Sequence, residues 1–178
     1  NTLGWPWIFH SLAIFSGLCL LAVMFGLPET RPQHLQPAPL SGAFGQYRAL
    51  LSNAPFMGYS LVGGVAMAGM FAYIAGSPFV FIELYGVPAE RYGWLFGTNA
   101  AGFVIMAQVN ARLVRRGGPV LWLQRMILVY LLSALRPLVL VWMQPAQLWP
   151  LMVPLFICVA CLGCVLPNAT ACAMAGQG

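Results

Sequence analysis

The sequence has no lysine and no aspartate, and charged residues of any kind make up only 6% of its 178 positions. A soluble domain carries roughly 25% charged residues and covers most of its surface with polar groups. Eight arginines, three glutamates and two histidines are too few to cover a domain of this size. The scarcity of charge therefore excludes a soluble fold.

Hydrophobic residues take the place of charge and make up 61% of the chain. Four long runs contain no charged residue, namely 1–28, 49–82, 92–111 and 137–178. A helix needs about 20 predominantly apolar residues to cross a bilayer. We therefore predict an all-α, multi-pass transmembrane bundle with about five spanning helices, at residues 8–27, 56–82, 92–109, 119–142 and 149–175.

The most polar part of the chain follows the first predicted span. Residues 28–54 include the four prolines Pro28, Pro32, Pro37 and Pro39. Proline disfavours continued helix, and clusters of proline and polar residues mark loops. We predict a connector at 28–54 that separates one helix, in residues 1–27, from a second group of helices in residues 55–178.

The eight arginines predict the orientation of the chain rather than a nucleic-acid interface, although the net charge is +5. Arg112, Arg115 and Arg116 occupy one predicted interhelical loop, without the basic stripe that nucleic-acid binding requires. If the first span ends in the cytoplasm, the loops on that side also hold Arg31 and Arg48. The opposite loops then hold only Arg91, as the positive-inside rule demands.

Groups that could perform enzymatic chemistry are scarce in the predicted spans. Cys158, Cys161 and Cys164 have the spacing of a metal-ligand run, but no histidine or carboxylate lies near them to complete a site. We therefore predict no metal site and assign these cysteines to packing. No acid–base or nucleophilic constellation is evident, so we predict that the protein is not an enzyme.

Four stretches of the chain share their residues and order with a known family. The first is Gly4-Trp5 with Ile8-Phe9 and Leu27-Pro28-Glu29-Thr30, and the second is Ala68-Gly69-Met70-Phe71 with Pro78-Phe79-Val80 and Ile82-Glu83. The third is Glu90, Tyr92-Gly93, Phe96 and Asn99 with Asn110, Arg112, Arg115, Arg116 and Gly118, and the fourth is Pro167-Asn168-Ala169. In this succession the chain resembles the drug and proton antiporters of the major facilitator superfamily, of the bicyclomycin-resistance type. The resemblance implies a piece that runs from helix six to helix ten of a twelve-helix transporter, with 28–54 as its central cytoplasmic loop.

The resemblance also implies a function. Such a protein exports small drug-like compounds across the cell inner membrane by alternating access, with the proton gradient as energy source and no cofactor. Its partners are the small-molecule substrate, membrane lipids and the missing N-terminal half, to which the proton-coupling acids belong. Two alternatives stay open at this point, a membrane scaffold without transport activity and an integral membrane enzyme.

Several residues are candidates for particular roles. We expect the substrate path to include four residues, Phe71, Tyr73, Asn99 and Asn168. The resemblance implies that a loop with a topological and conformational role contains five more, Asn110, Arg112, Arg115, Arg116 and Gly118. Two readings remain open for Asn99, an interhelical hydrogen bond or a substrate contact. Arg136, inside the fourth predicted span, either extends towards the interface or lines a cavity.

Overall fold

A computed structural model of the chain describes residues 4, 6–27, 43–143 and 147–175. The chain divides into two units, Asn1–Ala43 and Phe44–Gly178. The first unit contains helix α1, Pro6–Gly26, which covers most of the predicted span 8–27. In α1 the polar side chains bond to their own helix: His10 Nδ1 lies 2.8 Å from the Pro6 carbonyl oxygen, and the Ser11 hydroxyl donates to the Trp7 carbonyl at 2.9 Å.

The rest of the described chain is also helical. Helix α2 is Ala43–Ser52, α3 is Ala54–Pro78, α4 is Ala89–Met143 and α5 is Trp149–Met174. Helix α3 continues as a π-helical turn, Phe79–Leu84. Helix α2 lies inside the predicted connector, whose residues 28–42 are outside the described part. Four stretches of the described chain are long and apolar enough to cross a membrane. The prediction of an all-α transmembrane fold is therefore confirmed.

Helix α4 contains 55 residues but is not straight, because Gly118 has a left-handed φ of 74°. The Cys164 thiol donates to the Met106 carbonyl at 3.7 Å, and the Cys158 thiol donates to the Tyr130 carbonyl at 3.8 Å. A straight helix would separate those two carbonyls by about 36 Å, whereas about 9 Å of α5 separates the two cysteines. Residues 89–117 and 119–143, the first and second halves of α4, therefore form a hairpin against α5.

The structure differs from the prediction of a loop at residues 110–118. The chain is helical as far as Gly117, and the turn is made at Gly118. Arginine, leucine and valine are all compatible with helix, whereas a positive φ favours glycine. Pro119 begins the second half of α4. The first amide groups of a helix have no acceptor within the helix, so proline, which has no amide hydrogen, is well tolerated there. Asn110 and the arginines after it therefore belong to a helix and not to a loop.

Helix α5 lies at the centre of the second unit and carries most of its buried residues. Around Leu162, Val165 and Ala169 it forms one apolar cluster with α3 and the second half of α4. Around Leu151 and Met152 it forms another, with Phe81 of the π-helical turn. Four of the five cysteines lie on the buried side of α5, as small packing residues would.

Helix α3 uses a different face for packing from the one that its small residues suggest. Gly64, Ala68, Ala72 and Gly76 recur every four residues, a pattern typical of close helix contacts. The face that packs against α5 instead includes Ala66. A Cβ atom added to Gly64 or Gly76 would meet nothing within 4 Å. Among the described residues of the second unit, therefore, no helix packs closely on this small-residue stripe.

The closest approach between α5 and α4 occurs at Gly163. A Cβ atom placed there would meet the Phe103 carbonyl oxygen and lie 2.9 Å from the Ala107 amide nitrogen. Both are backbone atoms of the first half of α4, so neither can turn aside as a side chain could. Any residue larger than glycine would push the two helices apart.

We expect Gly163→Ala to lower the stability of the full-length protein by about 1–3 kcal/mol, the usual cost of overpacking a tight contact. Gly97→Ala, on the first half of α4, is the control, because a Cβ atom at Gly97 meets nothing within 4 Å. Alanine is also the better helix former, so this control should be neutral or slightly stabilising. Thermal unfolding in detergent measures the difference. Equal unfolding temperatures for the two variants would contradict the close approach.

Candidate functional site

A group of polar and aromatic side chains joins α3 to the first half of α4. The Asn99 amide nitrogen donates to the Tyr73 hydroxyl at 2.6 Å. The Tyr73 ring stacks on Phe96, with centroids 5.9 Å apart and an interplanar angle of 5°. One helical turn further along α3, the Ser77 and Tyr92 hydroxyls lie 2.9 Å apart. The two helices are therefore connected by hydrogen bonds inside an otherwise apolar bundle.

The Asn99 side chain is fully buried, with 0% of its surface exposed. Its Oδ1 atom has no hydrogen-bond partner within the described residues. If the amide were turned over, the Tyr73 hydroxyl would donate to Oδ1, but the amide nitrogen would then lack its acceptor. A buried polar group without a partner costs about 1–3 kcal/mol. The Asn99 Oδ1 atom is thus available for a further polar contact.

A cavity of about 160 Å³ lies between α3, the second half of α4 and α5. Tyr73 and Tyr130 contribute the hydroxyl groups of its lining, and Gly69, Met70, Leu155 and Leu162 are among its other lining residues. The Tyr130 hydroxyl lies so close to Gly69 that a Cβ atom there would collide with it. The cavity is large enough for several water molecules but smaller than the roughly 300–1,000 Å³ of a drug-sized pocket.

A second polar contact, between Asn110 and Asn168, joins the first half of α4 to α5. Each amide donates to the other: Asn110 Nδ2 lies 3.2 Å from Asn168 Oδ1, and Asn168 Nδ2 lies 2.8 Å from Asn110 Oδ1. Both side chains are buried. Each amide oxygen thus accepts a bond inside the bundle, so this pair holds the two helices in one register.

The family to which these helices belong follows from comparison with known proteins. The model of the Major Facilitator Superfamily matches residues 1–176, nearly the whole chain. The chain belongs to the major facilitator superfamily. A major facilitator protein is a transporter rather than an enzyme by family, and the multi-pass membrane prediction agrees with this membership. No solved structure gives a significant match.

Three relatives illustrate the place of this chain within the superfamily. An uncharacterised major facilitator transporter of Bacillus subtilis, YdgK, is 32% identical over 98% of this chain and 43% of its own length. A bicyclomycin resistance protein homolog of Haemophilus influenzae is 25% identical over 83% of the chain and 37% of its own length. The multidrug transporter MdfA of Edwardsiella piscicida is 30% identical over 61% of the chain and 27% of its own length. The chain thus spans less than half the length of these relatives.

The structure places the four predicted substrate-path residues of this major facilitator chain in different surroundings. Tyr73 and Asn99 contact each other beside the cavity. Asn168 is occupied by its pairing with Asn110. Phe71 is 63% exposed and does not line the cavity. The geometry therefore brings together two of the four, and the role of each in a substrate path stays a prediction.

The arginines of α4 have different surroundings. Arg112, Arg115 and Arg116 are exposed and occupy the last turns of the first half of α4. Cations at a helix C-terminus interact favourably with the helix dipole. Arg125 lies over the Trp122 ring, 5.3 Å from its centroid. Arg136 is exposed and does not line the cavity, so the cavity-lining alternative does not apply to this cavity.

Sequence reasoning missed Ser77 and Tyr92 as members of the polar group, and Tyr130 as a residue of the cavity lining. A signal for two of them was present, because residues 92, 96 and 99 share one helical face, as do 73 and 77. Polar and aromatic residues that repeat at this spacing in two apolar helices indicate facing surfaces. Tyr130 gave a weaker signal, since three of its neighbours at helical spacing, Met126, Ile127 and Ala134, are apolar and only Ser133 is polar. The packing of the second half of α4 against α3 and α5 places Tyr130 in the lining of the cavity.

We expect the Asn110 and Asn168 amides to be energetically coupled. Asn110→Ala or Asn168→Ala alone leaves the other amide buried without its partner, whereas the double variant removes both. The double variant should therefore lose less stability than the sum of the single losses, by about 0.6 and up to about 1.7 kcal/mol. Reversible unfolding of the full-length protein in mixed micelles would measure this coupling.

Thr170→Ala provides the control for this cycle. The Thr170 hydroxyl bonds within α5, to the Leu166 carbonyl at 3.0 Å, and contacts neither amide. Its effect should add to that of Asn110→Ala, because independent sites are additive. Strict additivity of Asn110→Ala and Asn168→Ala as well would rule out their pairing.

Proposed function

We propose that the protein containing these helices exports small drug-like compounds across the cell inner membrane by alternating access. Membership of a transporter superfamily supports transport, and the multidrug and bicyclomycin-resistance names of two relatives support drug-like substrates. The observation that carries the proposal is the Tyr73–Asn99 contact beside a cavity inside the bundle. A polar contact point within apolar walls suits lipophilic compounds that carry a few polar groups.

The cavity accounts for only part of a substrate site. Its volume of about 160 Å³ falls below that of a drug-sized pocket, which is roughly 300–1,000 Å³. We propose that helices from the rest of the protein complete the site, since the chain spans only 43% of one relative. Major facilitator transporters bind substrate near the bilayer midplane, between two helical halves. Tyr73 lies near the middle of a stretch that runs from Ala54 to Leu84, consistent with that depth.

We propose proton antiport as the source of energy. Among the described residues the only carboxylate side chains are Glu83 and Glu90, and both are exposed near helix ends. A proton-coupling acid needs shielding from bulk water so that its charge depends on the state of the transporter. Under this proposal the coupling carboxylates lie in other segments of the protein, and the helices described here supply substrate contacts.

Accumulation assays with a panel of drug classes test this function. Cells that express the full-length protein should accumulate less of at least one class than control cells, and dissipating the proton gradient should abolish the difference. Equal accumulation with and without the protein, across all classes, would contradict drug export. A difference that persists without a proton gradient would contradict proton antiport alone.

The Tyr73 hydroxyl should affect transport of substrates that carry polar groups. Tyr73→Phe removes one hydrogen bond, worth about 1 kcal/mol, so the apparent affinity for such a substrate should fall about five-fold. Tyr59→Phe is the matched control, because Tyr59 is also on α3 but lines a separate groove. The same loss in both variants, or in neither, would remove Tyr73 from the proposed site.

The arginines at the end of the first half of α4 should affect conformational change more than insertion. We propose that this end faces the cytoplasm, where each arginine gains about 1 kcal/mol from anionic lipid. Arg112→Ala leaves Arg115 and Arg116 to maintain orientation. Transport should fall while expression and insertion stay normal, as measured by efflux rate at equal protein level. An unchanged efflux rate would restrict Arg112 to a topological role.

A further inference from the structure

Another concave surface, distinct from the cavity and from the groove lined by Tyr59, lies between two helices of the second unit. It is an open groove of about 510 Å³ between the second half of α4 and the beginning of α5. The residues that line it include Leu135, Val139, Trp149, Val153 and Pro154, all apolar, together with Arg136. We call it the Arg136 groove. It combines apolar walls with a single positive charge.

The charge of Arg136 is not compensated within the described part of the chain. There, its guanidinium has no hydrogen-bond or ion-pair partner. The only carboxylate side chains of the described residues are those of Glu83, in the π-helical turn after α3, and Glu90, at the start of α4. Arg136 precedes the end of its helix, Met143, by about 10 Å. An unpaired arginine at such a depth in an apolar helix requires water or an anion.

The same groove contains the N-terminus of α5. Trp149 and Pro150 line it, and the N-cap residue Leu148 makes no side-chain capping bond. The positive end of a helix dipole attracts anions and adds to the field of the guanidinium. Trp149 is largely exposed, as tryptophans at the membrane interface commonly are. Trp149 therefore marks the N-terminus of α5 as the end of the groove nearest the lipid headgroups.

We propose that the Arg136 groove binds an anionic phospholipid. The phosphodiester contacts the Arg136 guanidinium near the N-terminus of α5, and one acyl chain lies along Leu135, Val139 and Val153. Arginine suits this role because its planar donors can bind two phosphate oxygens at once. The apolar walls disfavour a free phosphate ion, which offers nothing for them to contact. This inference is independent of the substrate that the protein transports.

Photo-crosslinking locates the bound lipid. The full-length protein is reconstituted in nanodiscs that contain either phosphatidylglycerol or phosphatidylcholine with a photoreactive group in the acyl chain. After illumination, peptides that contain Val139 or Val153 should carry phosphatidylglycerol in clear excess over phosphatidylcholine. Equal labelling by the two lipids would overturn the headgroup contact. No labelling would show that another helix or a second copy covers the groove, and would also overturn the proposal.

Substitution of the arginine tests its contribution. Native mass spectrometry of the full-length protein should show that Arg136→Gln weakens binding of one phosphatidylglycerol about five-fold, the effect of one basic residue near anionic lipid. Arg136→Lys should retain most of the affinity. Arg125→Gln is the control, because Arg125 lies over Trp122 and outside the groove.

The remaining results of the substitution experiment either support or overturn lipid binding at the Arg136 groove. Unchanged phosphatidylglycerol binding in Arg136→Gln would overturn it, as would the same loss in Arg125→Gln. If Arg136→Gln does not fold, the comparison of the two lipids in the unsubstituted protein decides alone. An excess of phosphatidylglycerol at Val139 and Val153 then supports the site, and its absence rejects it.

Discussion

The contact of α5 with both halves of α4 is the constraint on which the second unit depends. At Gly163 the backbone of α5 approaches that of α4 so closely that no side chain fits between them. Gly118 reverses the direction of α4, so that its second half also packs against α5. In a membrane, where lipid tails are as apolar as the side chains, close packing supplies much of the association energy.

Buried amide side chains occur at two places in this bundle, and they differ in how many of their hydrogen-bonding atoms have partners. The Asn110 and Asn168 amides bond each other reciprocally and hold α4 against α5. Asn99 bonds Tyr73 but keeps a buried atom without a partner in the described chain. A satisfied pair stabilises one arrangement, whereas an incomplete one favours rearrangement or a new contact. This difference makes the Asn110–Asn168 pair a structural contact and Asn99 a candidate functional residue.

The sequence predicted where helices lie better than which of their faces meet. The apolar runs located the spanning segments, and the resemblance located the family, which the superfamily match confirmed. The stripe from Gly64 to Gly76 on α3 is not the face that packs against α5, because small residues permit close contact without requiring it. The loop expected before Gly118 proved helical, since charge marks the membrane boundary and does not by itself end a helix.

By itself the sequence determined that this protein lies in a membrane and that it is all-α, because apolar runs of this length with so few charges are stable only as spanning helices. It also placed most of the positive charges between the predicted spans, with Arg125 and Arg136 inside the fourth. Only the tertiary structure decided that Tyr130 joins Tyr73 at one cavity and that Asn110 meets Asn168. These contacts join residues far apart in the chain, and the rotation of each helix about its axis follows from packing against its neighbours rather than from local composition.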